Sequence, residues 1–584
     1  MKTPGRLLFI VILLVVCLAC LSACGTVSLA SITSTDPLST PAYILVTANP
    51  QPSNTPFQPS RPIDLPLTAN PNQVPGLAGP TDTAAPAATE IPSQTAFASA
   101  TDFPTRPPQA TDTPLPTFTL VASGTPADSP TGLPVKTATS LPPTAALPPG
   151  ANLIRPQYVI SALMNYSGHK VTVSETVLYP NRTGAALSGI ALAVNPNLWN
   201  GVFILQTLEV DDQASTSYTL AGQWLNVNLD TPLQAGQAVK IGIGYQLNLP
   251  YSAAKMENFG YTARQTNLID WYPFVPPNIS GKWILPDPYP YGENLVYDKS
   301  DFRISLSFSD PANPPVVAAS APASSQNGAR FANQIVYALD NARNFTLSAS
   351  TEYQVSTADA NGVSIVNYYF PGDGGAAARV LDMTRLAVLT YTNEFGPYPH
   401  QMLTVCETDL NDGLETDGLY FLASTFYRAY DGTVRNNLST IAVHETAHQW
   451  WYGAVANNQA VEPWLDEAMA TYSERIFWGD NYPDLVTWWW AFRVDSKNPS
   501  GWVDSRVYDT STFSQYVNAV YFNGAHFLDA LRVRIGDKVF LAFLHDYFAR
   551  ENGRISSAND FFSILDLHTN TDISDLLKKY FYYR

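Results

Sequence analysis

The chain has 584 residues, of which 14% are charged, and carries a formal net charge of -17 at pH 7. This acidic balance argues against nucleic-acid binding, because a phosphate-binding surface needs clustered Lys and Arg side chains. The length allows several domains of the usual size of about 100 to 200 residues, provided that all of it folds.

The first residues have the features of a bacterial export signal. Two basic residues precede an apolar run, Leu7–Leu21, which ends in small residues. The run closes as Leu-Ser-Ala-Cys at 21–24, which resembles the lipobox of bacterial lipoproteins. We therefore predict that residues 1–24 are a lipoprotein signal peptide and that lipid on Cys24 holds the protein on the extracytoplasmic face of the membrane. An uncleaved anchor is the alternative, although the run is short for a span of about 20 residues.

Residues 25–150 have the composition of a tether. They consist largely of Pro, Thr, Ser and Ala and contain few aromatic side chains. Such a segment cannot bury enough apolar surface to offset its conformational entropy. We expect a disordered, extended spacer between the membrane and the folded part of the chain.

Residues 151–355 show the alternation of half-buried antiparallel strands. Apolar side chains recur at every second position, with turn residues between the runs. The clearest runs contain Val171, Val173 and Val177; Val239, Ile241, Ile243, Tyr245, Leu247 and Leu249; and Phe302, Ile304, Leu306 and Phe308. We predict one all-β domain here.

The remainder, residues 356–584, reads as a mainly helical domain, so that the whole chain is predicted to be a multidomain α+β protein. A helical period begins at Ala376 and stops at Phe395-Gly396-Pro397, and a short strand, Met402–Val405, follows. Further helices are predicted over Leu438–Tyr452, Pro463–Phe477, Tyr521–Ile535 and Val539–Ala549.

The helix predicted over 438–452 carries two histidines at metal-ligand spacing. His444, Glu445 and His448 form the H-E-x-x-H pattern, in which positions i and i+4 share a helix face and can reach one tetrahedral cation. Two histidines at this spacing can also be ordinary helix residues. Asn436 or Asn437 is the expected N-cap, and Gly453 the expected C-cap.

Glu467 completes a possible ligand set. It follows His448 after eighteen residues, on a helix that Pro463 can begin. A neighbouring antiparallel helix could present this carboxylate to the same ion. Two histidines and one glutamate leave a coordination position open, as in catalytic zinc sites. We therefore predict one Zn2+ that acidifies water, with Glu445 as general base. Glu474, one heptad beyond Glu467, is a candidate acceptor for a ligand imidazole.

This triad resembles that of the M1 family of gluzincin aminopeptidases, which includes leukotriene A4 hydrolase and aminopeptidase N. Gly413-Leu414-Glu415-Thr416 resembles the family's Gly-x-Met-Glu-Asn motif, and Tyr521-Phe522-Asn523-Gly524 its Tyr-x-Lys-Gly segment. The resemblance extends from about residue 155 to the C-terminus. It implies a saddle-like β domain followed by a thermolysin-like catalytic domain.

Carried across to this sequence, the resemblance gives Gly413 and Glu415 a role in substrate binding and Tyr521 a role in catalysis. Glu415 would receive the free α-ammonium of a peptide, and the Tyr521 hydroxyl would stabilise the oxyanion. Leu414, Thr416 and Asn523 depart from the family pattern. The balance between exopeptidase and endopeptidase activity therefore stays open.

Three functions are consistent with these residues. The first is a zinc aminopeptidase acting on peptides, and the second is a thermolysin-like endopeptidase. The third is a surface-binding module that keeps the fold without the chemistry, although the intact ligands and Glu445 argue against it. Nothing in the sequence indicates an oligomeric state or a preferred substrate side chain.

Overall fold

The computed structural model describes residues 154–252, 259–324, 334–409 and 412–583. The predicted signal peptide, the lipid-bearing Cys24 and the tether of residues 25–150 lie outside these ranges. Within the described part of the chain, no helix has both the length and the apolar character needed to cross a bilayer.

The first half of the described chain consists of strands, as the alternating pattern predicts. Its strands are Gln157–Asn165 (β1), Lys170–Pro180 (β2), Leu187–Ala193 (β3), Phe203–Val210 (β4), Gln213–Ala214 (β5), Tyr218–Ala221 (β6), Trp224–Leu233 (β7), Ala238–Asn248 (β8), Gly260–Tyr261 (β9), Thr266–Leu268 (β10), Asn278–Ile279 (β11), Lys282–Trp283 (β12), Ser300–Phe308 (β13), Val316–Ala319 (β14), Gln334–Ala342 (β15) and Leu347–Ser350 (β16).

These strands form a seven-stranded sheet in the order β15-β13-β1-β2-β8-β4-β5, a four-stranded sheet in the order β14-β16-β10-β9, a three-stranded sheet β3-β7-β6 and the hairpin β11-β12. Val171, Val173 and Val177 point into the core between the sheets, because alternate side chains of a strand face one side. All pairs are antiparallel except β1 and β13, which the long connection between them allows to run parallel.

The second half begins with a five-stranded sheet. Its strands are Gln354–Ala360 (β17), Val363–Tyr369 (β18), Met402–Thr408 (β19), Gly413–Thr416 (β20) and Leu419–Ala423 (β21), in the order β17-β18-β19-β21-β20. The predicted domain boundary between residues 355 and 356 falls inside β17. The strand β20 lies at an edge of the sheet and contacts the helix Asn437–Ala447, which carries His444 and Glu445.

Helices fill the rest of this half. They are Gly374–Glu394 (α1), Ser424–Arg428 (α2), Asn437–Ala447 (α3), Glu467–Asn481 (α4), Val486–Trp489 (α5), Phe513–Val517 (α6), Asn523–Ile535 (α7), Asp537–Glu551 (α8), Ala558–His568 (α9) and Ser574–Tyr580 (α10), with π-helical segments at Trp490–Val494 and Asn518–Phe522. Antiparallel strands followed by a helical domain confirm the predicted α+β fold class.

Two predicted helix ends are wrong. Helix α3 stops at Ala447, with His448 rather than Gly453 as its C-cap, because the amides of Gln449 and Trp450 bond three residues back, to the carbonyls of Thr446 and Ala447 at 3.2 and 2.9 Å, and tighten the chain into turns. Pro463 begins a short 3-10 turn rather than the α-helix, which starts at Glu467 with Asp466 as N-cap.

Buried charges join the two halves beside β20. Asp417, directly after β20, accepts hydrogen bonds from Lys299 Nζ at 3.1 Å and from the Arg343 amide at 2.7 Å, and its other oxygen lies 2.7 Å from His400 Nε2. Burial alone would raise the pKa of Asp417, but Lys299 and His400 hold it far below its usual range. The turn after β20 is therefore anchored to the β-rich half.

Candidate metal centre and substrate cleft

Helix α3 places both predicted imidazole ligands on one face. The Asn436 side chain caps the helix by accepting the Ser439 amide hydrogen bond at 2.9 Å, which confirms the predicted N-cap. The Nε2 atoms of His444 and His448 lie 3.1 Å apart. Both rings are buried.

Helix α4 supplies the carboxylate. The Asp466 side chain accepts the Glu467 amide hydrogen at 2.8 Å and so fixes the first turn. Glu467 Oε2 lies 3.4 Å from Nε2 of His444 and 3.4 Å from Nε2 of His448. Ligands about 2.0–2.1 Å from a tetrahedral zinc ion are about 3.3 Å from each other. The three atoms therefore form one face of a tetrahedron of the size that zinc requires.

The opposite nitrogen of each imidazole has an acceptor. His444 Nδ1 lies 2.8 Å from Glu474 Oε1, and His448 Nδ1 lies 3.1 Å from the carbonyl oxygen of Trp451. A proton on Nδ1 that is donated to these oxygens leaves the Nε2 lone pairs directed at the cation position. The early end of α3 brings the Trp451 carbonyl into range, which sequence periodicity does not reveal.

Glu474 is itself held in place by two donors. The Arg493 guanidinium binds it through Nε at 3.1 Å and Nη2 at 3.0 Å, and Trp489 Nε1 donates at 2.8 Å. Arg493 lies in the π-helical segment Trp490–Val494. Burial raises the pKa of Glu474, whereas Arg493 lowers it. This network fixes the orientation of the His444 ring through its Nδ1 atom.

The carboxylate of Glu445 lies against strand β20, beside Gly413. A Cβ atom built on Gly413 would lie 2.0 Å from Glu445 Oε1, so only glycine leaves room for this carboxylate. One oxygen of Glu445, one oxygen of Glu415 and a nitrogen of His448 lie within 4.8 Å of one another. Burial raises the pKa of Glu445 well above its usual value, and His448 opposes this shift.

A second carboxylate accompanies Glu415. One oxygen each of Glu293, Glu415 and Glu467 lie within 4.8 Å of one another, and Gln459 Nε2 donates to Glu415 at 3.1 Å. Burial raises the pKa of Glu415 to about 7, with Glu467 adding to the shift and His448 opposing it. Glu293 comes from the β-rich half, in Tyr-Gly-Glu-Asn. No motif marks it in the sequence.

Two tyrosines reach the centre from the π-helical segment Asn518–Phe522 and from helix α6, which directly precedes it. The rings of Tyr521 and His444 lie parallel with centroids 6.1 Å apart, and the Tyr521 hydroxyl lowers the pKa of Glu467, which burial raises. Tyr516 lies five residues earlier. A π-helix has five-residue hydrogen-bond spacing, so both rings face the same side, with centroids 5.7 Å apart. Sequence reasoning missed Tyr516.

The centre is rich in carboxylates, and this composition suits a cation. Burial would lower the pKa of His448, but Glu415 and Glu467 raise it well above its usual value. Buried negative groups need a compensating positive charge. All seven predicted site residues lie at this centre: Gly413, Glu415, His444, Glu445, His448, Glu467 and Tyr521.

Comparison with known proteins agrees with this architecture. Residues 384–580 match the family model described as the peptidase family M1 domain. The aminopeptidase M1-C of Oryza sativa subsp. japonica is 23% identical over 151 residues, which are 24% of this chain and 17% of that protein. A probable aminopeptidase 2 of Sulfurisphaera tokodaii is 22% identical over 233 residues, 37% of this chain and 30% of that protein. The chain thus spans less than a third of the length of these two relatives.

Solved structures share the fold over a longer range. The M1 zinc metallopeptidase from Deinococcus radiodurans has a TM-score of 0.53 and 20% identity, covering 73% of this chain and 93% of that one. A mutant of that enzyme bound to a Tyr-Ser-Ala substrate has a TM-score of 0.53 and 19% identity, covering 73% and 94%. The match to the peptidase family M1 domain thus covers residues 384–580, and the chain shares the two-domain fold of these M1 zinc metallopeptidases.

Proposed function

We propose that this protein is a zinc aminopeptidase that removes N-terminal residues from peptides. The observation that carries the proposal is the position of Glu293 and Glu415 beside Glu467. Two carboxylates next to a metal ligand form a site for an ammonium group, and the free N-terminus of a peptide brings one. A peptide bound there has its first peptide bond beside the cation.

The proposed cofactor is a single zinc ion held by His444, His448 and Glu467. The spacing of 3.1 to 3.4 Å between their donor atoms supports this assignment, as does an acceptor behind each imidazole. Nitrogen and carboxylate ligands in this number are typical of catalytic zinc, which keeps one position open. When bound, zinc polarises the scissile carbonyl and makes water more acidic.

In the proposed mechanism, Glu293 and Glu415 hold the substrate ammonium and so fix the first peptide bond in the cleft. Glu445 takes a proton from the attacking water and passes it to the leaving amine. The Tyr521 hydroxyl donates a hydrogen bond to the carbonyl oxygen as it gains negative charge. Glu474 and the Trp451 carbonyl keep the two imidazoles in the productive tautomer.

Matched free and blocked substrates test the aminopeptidase proposal. The purified protein should release the first residue from a short peptide with a free N-terminus, and the N-acetylated form of the same peptide should not be cleaved. Equal cleavage of both forms, or cleavage at internal bonds, would identify an endopeptidase instead. Binding of peptides without any cleavage by the zinc-loaded protein would support a binding module.

We also propose that the enzyme works at the outer face of the membrane, anchored by lipid on Cys24. The export signal and the lipobox-like Leu-Ser-Ala-Cys at 21–24 support this placement. Expressed in a bacterium, the full chain should incorporate labelled fatty acid and fractionate with membranes. Cys24→Ser should abolish the label; a Cys24→Ser protein that is still acylated would refute the anchor.

A further inference from the structure

A cavity opens directly beside the proposed ammonium site. It has a volume of about 360 Å³, and Glu293 and Glu415 form part of its wall. This volume lies in the range of pockets that take small ligands, about 300–1,000 Å³. Both halves of the molecule contribute to it, through the loop at Pro288–Leu295 and through β20 with Tyr452.

The proposed function determines what this cavity would receive. The first residue of a peptide carries its ammonium group and its side chain on the same carbon atom. An ammonium group bound between Glu293 and Glu415 therefore leaves the side chain to enter the adjoining space. The inference below rests in this way on the proposed aminopeptidase activity.

The walls of the cavity are aromatic. Six aromatic side chains, from both halves, line it: Trp199, Phe259, Tyr289, Tyr291, Tyr297 and Tyr452. Tyr452 has a φ of 148°, a strained conformation for a residue with a side chain. Asn344 Nδ2 donates to its hydroxyl at 2.8 Å. The ring is thus held against the cavity at a conformational cost.

Among the described residues that line the cavity, the ionisable side chains other than tyrosine are all carboxyl groups. Besides Glu293 and Glu415, the carboxylate of Asp270 lines it, and among the described lining residues there is no Lys, Arg or His. Asp270 accepts a hydrogen bond from the Tyr297 hydroxyl and remains half-buried at the cavity wall. Burial raises the pKa of Asp270 to about 6, and the Tyr297 hydrogen bond opposes the shift. The carboxylate is therefore mostly ionised at neutral pH.

Asp270 lines the same cavity as Glu293 and Glu415 but does not belong to their carboxylate cluster. Tyr452 lines the cavity together with both carboxylates, and burial raises the pKa of its hydroxyl, with Asp270 and Glu415 adding to the shift. A cation that enters stabilises a carboxylate enclosed by aromatic rings, because the two charges pair and because the ring faces attract the cation. A neutral side chain would leave the desolvated charge of Asp270 without this compensation.

We propose that this cavity binds the side chain of the N-terminal residue and that Asp270 selects Arg or Lys there. The α-ammonium pairs with Glu293 and Glu415, while the guanidinium or ε-ammonium group lies among the aromatic rings and pairs with Asp270. Peptides that begin with a basic residue are thus the preferred substrates.

Reporter substrates that differ only in charge test the proposal on the unmodified protein. Arginine and citrulline have nearly the same shape, but citrulline is neutral. The kcat/KM for the arginyl reporter should exceed that for the citrullyl reporter by about tenfold or more, which corresponds to about 1.4 kcal/mol. Equal values, or a higher kcat/KM for leucyl and phenylalanyl reporters, would overturn the assignment.

A variant pair provides the second arm. Asp270→Asn should lower the ratio of arginyl to leucyl kcat/KM by about tenfold, and Asn tolerates the left-handed backbone of this position, φ 51°. Asp287→Asn removes an exposed carboxylate outside the cavity and should leave the ratio unchanged. An unchanged ratio in Asp270→Asn would overturn the inference alone. If the protein hydrolyses no reporter that has a free N-terminus, the proposed function is overturned as well.

Discussion

At the residue scale, the centre is defined by an excess of carboxylates over cations. Glu415, Glu445 and Glu467 lie close to His448, and the half-buried Glu293 lies beside Glu415 and Glu467. Burial raises the pKa of each of these glutamates. Such a group of buried acids is costly unless a cation is present. In the proposed function, a metal ion and a substrate ammonium would together supply the missing positive charge.

Replacing Glu445 by Gln separates metal binding from proton transfer. The Glu445→Gln protein should keep its zinc, because the three ligand atoms are unchanged, and should lose activity by about 10²- to 10⁴-fold. Metal content and kcat of the same preparation give both values. Unchanged activity would mean that another group accepts the proton.

Gly413 is predicted to be essential because its missing side chain makes room for Glu445. In Gly413→Ala the new Cβ would meet Glu445 Oε1 at 2.0 Å, so the carboxylate must move and kcat should fall by about 10²-fold, as misplacement by about 1 Å can cost that much. Gly375→Ala, on α1 with no atom within 4 Å of the new Cβ, is the control. Wild-type kcat in Gly413→Ala would argue against the position of Glu445.

The site residues that the sequence revealed lie close to one another along the chain, whereas a residue that it did not reveal lies far from the others. His444, Glu445 and His448 lie on one helix, so a local pattern reveals them, and Glu467 follows on the next. Glu293 reaches the same centre from the other half of the molecule, 122 positions before Glu415 in the sequence. Only tertiary packing brings it there, and no local period records that contact.

At the element scale, two π-helical segments aim side chains at the centre. Trp490–Val494 directs Arg493 to Glu474, and Asn518–Phe522 carries Tyr521 on the same side as Tyr516. π-Helical turns occur often at functional sites. They interrupt a 3.6-residue period by one residue, so the predicted helix over Tyr521–Ile535 could include Tyr521 but could not indicate the direction of its ring. The early end of α3 is a deviation of the same kind.

Helix α4 supports His444 through Glu474, so this side chain should control the affinity for zinc. In Glu474→Gln, the side chain can still accept from Nδ1 but carries no charge, and Arg493 loses its ion pair. Zinc affinity should fall by about 10- to 100-fold, as for other outer-shell partners of metal ligands. Competition with a chelator measures it, with the exposed Glu352→Gln as control. Equal affinities for Glu474→Gln and wild type would show that Glu474 does not tune the metal.

At the scale of the whole molecule, the cleft exists only because two halves are held together. Arg343, from the β-rich half, donates to the carbonyl oxygens of Gly453 at 3.2 Å and Ala454 at 2.9 Å, just after the metal ligands. Asp417 ties the turn after β20 to Lys299. The alternating pattern predicts the sheets and the helical period predicts the helices, but neither specifies how the two halves pack.

Removing the Asp417 charge should loosen this junction. Asp417→Asn leaves Lys299 buried without its partner and should lower the free energy of unfolding by about 3–5 kcal/mol. Because the folded pKa of Asp417 is depressed, its stabilisation is fully present above the unfolded value of about 3.9 and is lost as the pH falls below it. Denaturant unfolding measures the free energy of unfolding of the variant and the wild type at pH 7 and pH 3. The difference between the two proteins should be smaller at pH 3 than at pH 7. The exposed Asp230→Asn serves as control, and equal stability of Asp417→Asn and wild type at pH 7 would contradict the role of this ion pair.

The central claim is that His444, His448 and Glu467 bind one zinc ion. An anomalous difference map at the zinc absorption edge, from crystals of the purified protein, tests it most directly. We predict one peak about 2.0–2.2 Å from Nε2 of His444, Nε2 of His448 and a carboxylate oxygen of Glu467. A peak bound by other side chains, or zinc-grown crystals with no peak between these three residues, would contradict the account.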